Sequence, residues 1–550
     1  MKFILGINAY HADAAAALIK DGKVIIAVEE ERFTRIKHNA GFPLNAIKWC
    51  LEQTNLKISN VDDIAINTNP RSNLHRKLIY SLFGKPEISL ILSKIKNRRK
   101  KNSLKSVFEE YFPNSKIKAK FHFIDHHLAH LASAFYPSKF PQSFVISVDG
   151  FGDFSSAAWG YGYENNLEID GKILFPHSLG AFYTSITQFL GFHNYGDEYK
   201  VMGLAPYGKP RYMKEMNQLI SIKNNGKFEL NKIYFPHATK NLKHQWLEGK
   251  PIVAKHFNEK FVDLFGPQRD KNQPITQRHK DIAFSAQKIY EEAFFNMLNT
   301  FSVKYDTENI CLAGGCGANS VANGKITTHT KLKNVYVASA PGDAGGALGA
   351  GLAVWYKSAQ NFNCNNNLSP YLGCSYSNKT INLLLDNPII AEQLNDQNCE
   401  VCKLGEEGFQ NEEAFLKVIA QNIFEGKVVG WFQGSMEWGP RALGNRSILG
   451  NPCRKDMKDI LNLKIKRRES FRPFAPSVLL EEVNNWFDIN LDVPYMMQVL
   501  PIKVSKQHLI PAVTHVDGTG RLQTVSKTGN KRYYRLIKNF FEISNVPMVL

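Results

Sequence analysis

The chain has 550 residues, 43% of them hydrophobic, more than a single core accommodates, so two or more domains are expected. No apolar run is long enough to span a bilayer, and the start, MKFILGINAY, lacks a basic region followed by a long apolar core. That predicts a cytoplasmic protein with no membrane partner. The net charge of +18 raises the possibility of nucleic acid, but the densest run, residues 94–101 (KIKNRRKK), has no recognition module beside it and reads as a solvated face.

Eight cysteines, at 50, 311, 316, 364, 374, 399, 402 and 453, are sparse for this length and read as reduced core thiols. Cys399-x-x-Cys402 has no second pair at zinc spacing.

Residues 3–8 (FILGIN) form an apolar strand, followed by the loop Asn8-Ala-Tyr-His-Ala-Asp13 and a second strand at 14–20. Asp21-Gly22 between apolar runs predicts a hairpin into a third strand at 23–29. His11 in that first loop could serve as a general base near neutral pH, or be a surface histidine. A strand at 118–124 runs into Asp125-His126-His127-Leu-Ala-His130, with a helix expected over about 128–136. Four residues apart, His126 and His130 share a helix face, while His127 is turned away by about 100°. Two imidazoles so placed suit a divalent metal, although capping and core histidines have the same spacing. No Glu follows the first His, so the zinc-protease base is missing.

The opening pattern recurs at 144–149 (FVISVD), with a loop at 150–153 and then SSAAWGYGYENNLEI, which predicts two similar lobes facing a cleft. Residues 196–208 (GDEYKVMGLAPYG) either line a pocket or shape a loop. Two Gly-rich strand-to-helix transitions follow. One leads from 309–313 into Gly314-Gly315-Cys316-Gly317-Ala318-Asn319, the other from 334–339 into residues 341–346 and a helix to about 356. Such loops let backbone N–H groups approach a phosphate. Asp343, in the second, is a candidate third metal ligand.

The Asn-rich stretch 360–369 reads as a linker, and beyond about 406 a new unit begins with a helix to 425 and a strand at 427–432. Residues 434–476 then set Arg441, Arg446, Lys466, Arg467, Arg468 and Arg472 among Gly, Pro and apolar residues. Cations on a tight scaffold point to bidentate recognition of phosphate or carboxylate.

These motifs resemble the O-carbamoyltransferases of natural-product and nodulation-factor biosynthesis. The matching segments are GINAYHADAAAALI, DHHLAH, SVDGFGD, GDEYKVMGLAPYG, LAGGCGANSVANGKI, PGDAGGALGAG, EWGPRALGNRSIL, LNLKIKRRESFRPFAPS and PAVTHVDGTGRLQTV, in family order over nearly the whole chain. The resemblance implies an α/β protein. A duplicated actin/Hsp70-like (ASKHA, Kae1-like) domain would span 1–360, residues 361–405 would link, and a smaller α+β YrdC-like domain would span 406–550. Carbamoyl phosphate and ATP (with Mg2+) would give carbamoyl-AMP and pyrophosphate in the second domain. The first would then pass the carbamoyl group to a hydroxyl of a small metabolite, with no nucleic-acid partner expected and a homo-oligomer possible.

By the same resemblance His126, His130 and Asp343 would bind a metal, with iron(II) the implied ion, and His11 would accept the hydroxyl proton. Asp149, Gly150, Gly314, Gly315, Asn319 and Asn323 would line the nucleotide site. Arg441, Arg446, Lys466 and Arg472 would hold carbamoyl phosphate and nucleotide phosphates, Lys466 as the catalytic cation. In the family the strand at 545–550 continues into an Asn-Thr-Ser-Phe-Asn segment that contributes a hydroxyl and amides to the second site. A tRNA threonylcarbamoyl-type enzyme and a catalytically incomplete nucleotide-binding protein are the alternative readings.

Overall fold

The computed structural model describes residues 1–550 except 84–103, 241, 243–244, 360–367, 403, 405–410 and 490, together with the side chains of 82–83 and 245–247. The basic run 94–101 and most of the predicted linker 360–369 lie outside the described residues. The chain divides into two compact units, Met1–Leu368 and Ser369–Leu550.

In the first unit, β1 (Phe3–Asn8), β2 (Ala15–Lys20) and β3 (Lys23–Glu29) form an antiparallel meander. Strands β4 (Asp63–Ile66) and β5 (Lys120–Phe123) extend it in parallel from β1, giving the order β3-β2-β1-β4-β5. Strands β6 (Gln142–Gly152), β7 (Ser155–Tyr163) and β8 (Asn166–Leu174) repeat the meander. Two small hairpins follow, β9 (Ile220–Ile222) with β10 (Phe228–Leu230) and β11 (Gln245–Leu247) with β12 (Lys250–Ile252). Then β13 (Asn309–Ala313) and β14 (Asn334–Val337) complete the order β8-β7-β6-β13-β14, again parallel to β6. Order and sense are identical in the two sheets, which is the duplicated α/β lobe expected of an actin/Hsp70-like architecture.

The sequence explains which strands lie inside. Strands β1 and β4 are apolar and buried almost throughout, as inner parallel strands must be, whereas the edge strand β8 alternates exposed and half-buried residues. One difference from expectation matters for the site. Strand β6 runs three residues beyond 149, with a bulge between Val148 and Gly152, so the predicted loop 150–153 shrinks to the two-residue turn Asp153-Phe154.

Two helices carry the centre. The helix His126–Phe135 starts two residues earlier than expected because Asp125 caps it, its carboxylate accepting from the His127 and Leu128 amides at 3.1 and 3.2 Å. A cap of this kind contributes about 1 kcal/mol. The helix Asp343–Tyr356 is rich in Ala, Gly and Leu and buried on nearly every side, as a core helix must be apolar all round. It crosses the first helix at backbone contact: a Cβ on Gly349 would lie 1.8 Å from the Ala129 carbonyl oxygen.

The second unit is α+β. Strands β15 (Val429–Phe432) and β16 (Arg446–Leu449) pair as an antiparallel ribbon. Strands β17 (Ser477–Leu479), β18 (Gln498–Pro501), β19 (Thr519–Val525) and β20 (Met548–Val549) form a sheet in the order β18-β19-β17-β20. Helices Glu412–Phe424 and Lys531–Ser544 are clasped by Arg535, which reaches Glu412 and Glu413 at 2.5 Å each, over a core including Trp431, Leu461, Val478 and Phe540. Cys50, Cys311 and Cys374 are buried, as expected of core thiols; Cys399 and Cys402 are exposed, against that expectation, because the chain around them packs on little. Among the described residues no helix is long and apolar enough to cross a membrane.

Candidate active site

Four side chains converge at the N-termini of the two helices. The Nε2 atoms of His126 and His130 are 3.0 Å apart, and Asp149 Oδ2 lies 3.0 and 3.2 Å from them. Asp343 Oδ1 approaches the same atoms at 3.6 and 3.5 Å. All four ligand atoms lie within 4.8 Å of one another. Asp149, expected among the nucleotide-binding residues, is thus a fourth member of the imidazole–carboxylate group, delivered there by the bulge in β6. Gly152 makes room for the ring of His126, since a Cβ there would sit 2.0 Å from it. His127 points elsewhere, its Nδ1 2.7 Å from Ser147 Oγ; burial and the neighbouring His126 and His130 push its pKa down to about 3.

Electrostatically the group is a trap for positive charge. Burial alone would lower the pKa of His130, but its bonds to Asp149 and Asp343 raise it to about 9. Burial opposes ionisation of Asp149, yet the two imidazoles hold its carboxyl well below the ordinary range. Burial and the charge of Asp149 raise Asp343. Two imidazole nitrogens and two carboxylate oxygens suit a divalent transition metal. A second group, Asp13, Glu31 and His38, has similar spacing but is satisfied by the protein, with Asp13 Oδ1 2.7 Å from His38 Nδ1 and Glu31 paired with Arg32 at 3.1 Å.

The first loop brings His11 to the group, its ring centroid 5.6 Å from that of His126. The segment predicted as pocket or loop adds Tyr195, just before it, whose pKa is raised well above normal by burial and by Asp343, Asp13 and Asp149. The Gly-rich loop lies alongside: the Gly315 amide donates to Asp149 Oδ1 at 2.9 Å, Gly314 turns the chain at φ 89°, and a Cβ on Gly150 would meet nothing within 4 Å. The amides of Asn319 and Asn323 are engaged by the protein itself. Asn319 caps a helix at Ala322 and pairs with Gln287 at 3.0 and 3.1 Å, and Asn323 Nδ2 donates to the Gly317 carbonyl at 2.8 Å.

In the second unit the cations are brought together by buried polar groups that the sequence pattern did not reveal. Glu437 Oε1 accepts from the amides of Leu443, Asn445 and Arg446 at 2.8, 2.9 and 3.1 Å, folding the Arg441 loop around itself. Asn462, fully buried, accepts from Arg468 Nε at 2.6 Å and donates to the Arg472 carbonyl at 3.1 Å. Partial burial of its ammonium and the charges of Arg468 and Arg472 lower the pKa of Lys466. Arg521 on β19 joins them; burial, then Arg441, Arg472 and Arg468, push its pKa well below the ordinary value. A guanidinium stays charged under such repulsion, so the cluster calls for an anion.

Arg446, expected among the phosphate ligands, has its Nη donors engaged by backbone carbonyls. Its Nη1 donates to the Gln433 and Asn445 carbonyls at 2.7 and 2.9 Å, and its Nη2 to Cys374 and Gly434 at 3.0 and 3.1 Å. With its guanidinium 3.6 Å from the Phe432 ring centroid, it clamps backbone and leaves only Nε–H for a ligand.

The sequence profile of the carbamoyltransferase N-terminus matches residues 3–352, and that of the carbamoyltransferase C-terminus matches residues 420–550. The chain belongs to the carbamoyltransferase family. Among relatives, the carbamoyltransferase is 39% identical to an uncharacterised protein of Synechocystis sp. over 100% of this chain and 91% of that protein. It is 34% identical to nodulation protein NolNO of Sinorhizobium fredii over 99% of this chain and 74% of that one. Nodulation protein NolO of Bradyrhizobium diazoefficiens is 33% identical over 78% of this carbamoyltransferase and 72% of its own length.

Proposed function

We propose that this carbamoyltransferase uses ATP and carbamoyl phosphate to carbamoylate a hydroxyl of a small metabolite, in two chemical stages. The observation that carries the reading is the pairing of a cation-seeking tetrad in one unit with an anion-seeking cluster in the other. Atom balance defines the first stage. Water takes the phosphoryl group of carbamoyl phosphate, releasing phosphate and carbamate; a carbamate oxygen then attacks the α-phosphorus of ATP, and pyrophosphate leaves. Arg441, Lys466, Arg472 and Arg521 would stabilise the charge that grows on the departing phosphates.

In the second stage the acceptor oxygen attacks the carbamoyl carbon of the adenylate while the bond from that carbon to the AMP oxygen breaks. An alcohol is a poor nucleophile, so a base is needed, and His11, whose ring lies 5.6 Å from that of His126, would accept the proton. His126, His130, Asp149 and Asp343 would hold a divalent metal, which when bound would supply Lewis-acid stabilisation to the leaving phosphate. Tyr195, kept protonated by burial and then by its carboxylate neighbours, can donate a hydrogen bond within the site.

The test is incubation of the full chain with radiolabelled carbamoyl phosphate, ATP and metabolite extract. The expected result is label on a new carbamate ester, with one pyrophosphate and one AMP released per ester formed. Release of pyrophosphate from neither ATP alone nor ATP with carbamoyl phosphate would refute the proposal.

A further inference from the structure

Outside the tetrad, the first unit contains a cavity of about 280 Å³ lined by Arg76, Tyr80, Phe154, Leu174, Phe175 and Lys232, with Ile79 at its edge. Its floor is aromatic. Tyr80 meets the edges of Phe154 and Phe175 at 5.7 and 5.2 Å between centroids, and Phe154 lies 5.4 Å from Phe175. Its rim is cationic. Arg76 and Lys232 are both exposed, and among the described residues neither takes part in an ion pair. Glu229, close enough to Lys232 to feel its charge, is paired with Lys223 at 3.0 Å.

The backbone puts Phe154 into this floor at a cost. Asp153 and Phe154 close the β6–β7 hairpin with φ of 48° and 72°, the left-handed pair of a type I′ turn whose second position ordinarily takes Gly. A bulky residue there costs about 1–2 kcal/mol, so the ring's position is maintained against the turn's own preference. The same turn touches the transfer centre. Asp153 Oδ2 accepts the His126 amide at 3.0 Å and the Asn69 amide at 2.7 Å, and Asn73 Nδ2 donates to the Asp153 carbonyl at 2.8 Å. Asn73 immediately precedes the helix Leu74–Phe83 that carries Arg76 and Tyr80. One turn therefore joins the cavity to the metal-site helix.

We propose that this cavity binds the acceptor, and that the acceptor is a ring-bearing anion: its ring rests on Tyr80, Phe154 and Phe175, and its phosphate or carboxylate lies between Arg76 and Lys232. This rests on the carbamoyl-transfer reading above. The volume lies at the small end for ligand pockets, enough for one ring and one anionic group. Aromatic rings accept the apolar face of a sugar or an aromatic ligand, and the Arg fork supplies bidentate hydrogen bonds to the anion.

Calorimetric titration of the full chain, without ATP or carbamoyl phosphate, tests the site with phenyl phosphate, benzoate and neutral benzyl alcohol. Phenyl phosphate or benzoate should bind one per chain at least tenfold more tightly than benzyl alcohol, the stronger of the two identifying the anion. Arg76→Ser with Lys232→Ser, both at exposed positions, should abolish that tenfold preference. Phe154→Gly, which suits the turn and so preserves the fold, should weaken all three probes. Equal affinities for charged and neutral probes, or unchanged binding in both variants, would overturn the proposal. In the labelled transfer reaction, saturating probe should suppress ester formation but not pyrophosphate release. Undiminished ester formation would overturn the acceptor assignment, whereas absence of both products without probe would sink the transfer reading itself.

Discussion

The tetrad of the first unit and the cationic cluster of the second are electrostatic opposites built by opposite means. The tetrad gathers two carboxylates and two imidazoles that are buried or nearly so, on rigid helix ends and a strand bulge. The cluster gathers Arg441, Lys466, Arg468, Arg472 and Arg521 on loops and one strand, with Lys466 exposed. A rigid, dry, oxygen- and nitrogen-lined site selects a metal by geometry. A wetter cationic loop would suit phosphates that enter, react and leave. On the proposed mechanism, one activity is divided between a site suited to positioning and a site suited to turnover of anions.

The comparison breaks most visibly at the tetrad. Replacing His126 and His130 together with Gln should reduce bound divalent metal from one per chain to under a tenth, measured by elemental analysis on folded protein. Carbamoyl transfer from preformed adenylate should fall by about a thousandfold or more if Lewis-acid help is lost, with pyrophosphate release retained. At the other centre, Lys466→Ala or Arg521→Ala should slow pyrophosphate release by about 100-fold, the usual cost of one preorganised charge-stabilising group. Metal content should not change.

A smaller effect separates clamp from ligand within the cationic segment. Arg446→Met should lower unfolding stability by about 2 kcal/mol, because it removes charged donors to buried carbonyls. Arg472→Met should instead raise the KM for carbamoyl phosphate at nearly unchanged stability. Equal stability loss in both would erase the distinction. The smallest effect lies away from both centres. His279, at the third position of the helix Gln277–Phe301, accepts the Thr276 amide at Nδ1, and burial, Arg278 and Arg269 push its pKa down to about 4. The folded state thus favours the neutral ring. Its contribution should be complete above about pH 6.5 and be lost as pH falls through 4, and His279→Gln, a normal capping-box residue, should flatten that part of the stability profile.

Much of this arrangement is legible in the sequence where spacing is local. The His126–His130 pair follows from helix period, the lobe repeat from two apolar strands with the same hairpin logic, and the Asp343 helix from its Gly-rich start. What stayed hidden depends on register and distance along the chain. Asp149 reaches the imidazoles only because β6 bulges between Val148 and Gly152, where residues 149–151 face Ser156 alone, an irregularity that no alternation pattern announces. Arg521 joins Arg472 because β17 and β19 pair in parallel, with Ser477 opposite Gln523. Charge patterning placed Arg446 among the phosphate ligands, but composition does not show which donors the backbone will use. Glu437 and Asn462 look like ordinary surface polar residues until their burial is known.

The most direct test of the divided mechanism supplies preformed carbamoyl-adenylate, with metabolite extract, to Lys466→Ala and to His11→Ala. Lys466→Ala should form the carbamate ester at close to the unsubstituted rate although it releases almost no pyrophosphate from ATP and carbamoyl phosphate. His11→Ala should show the reverse, normal pyrophosphate release and little ester. If both variants fail, or both succeed, with supplied adenylate, the two centres do not divide the reaction as described.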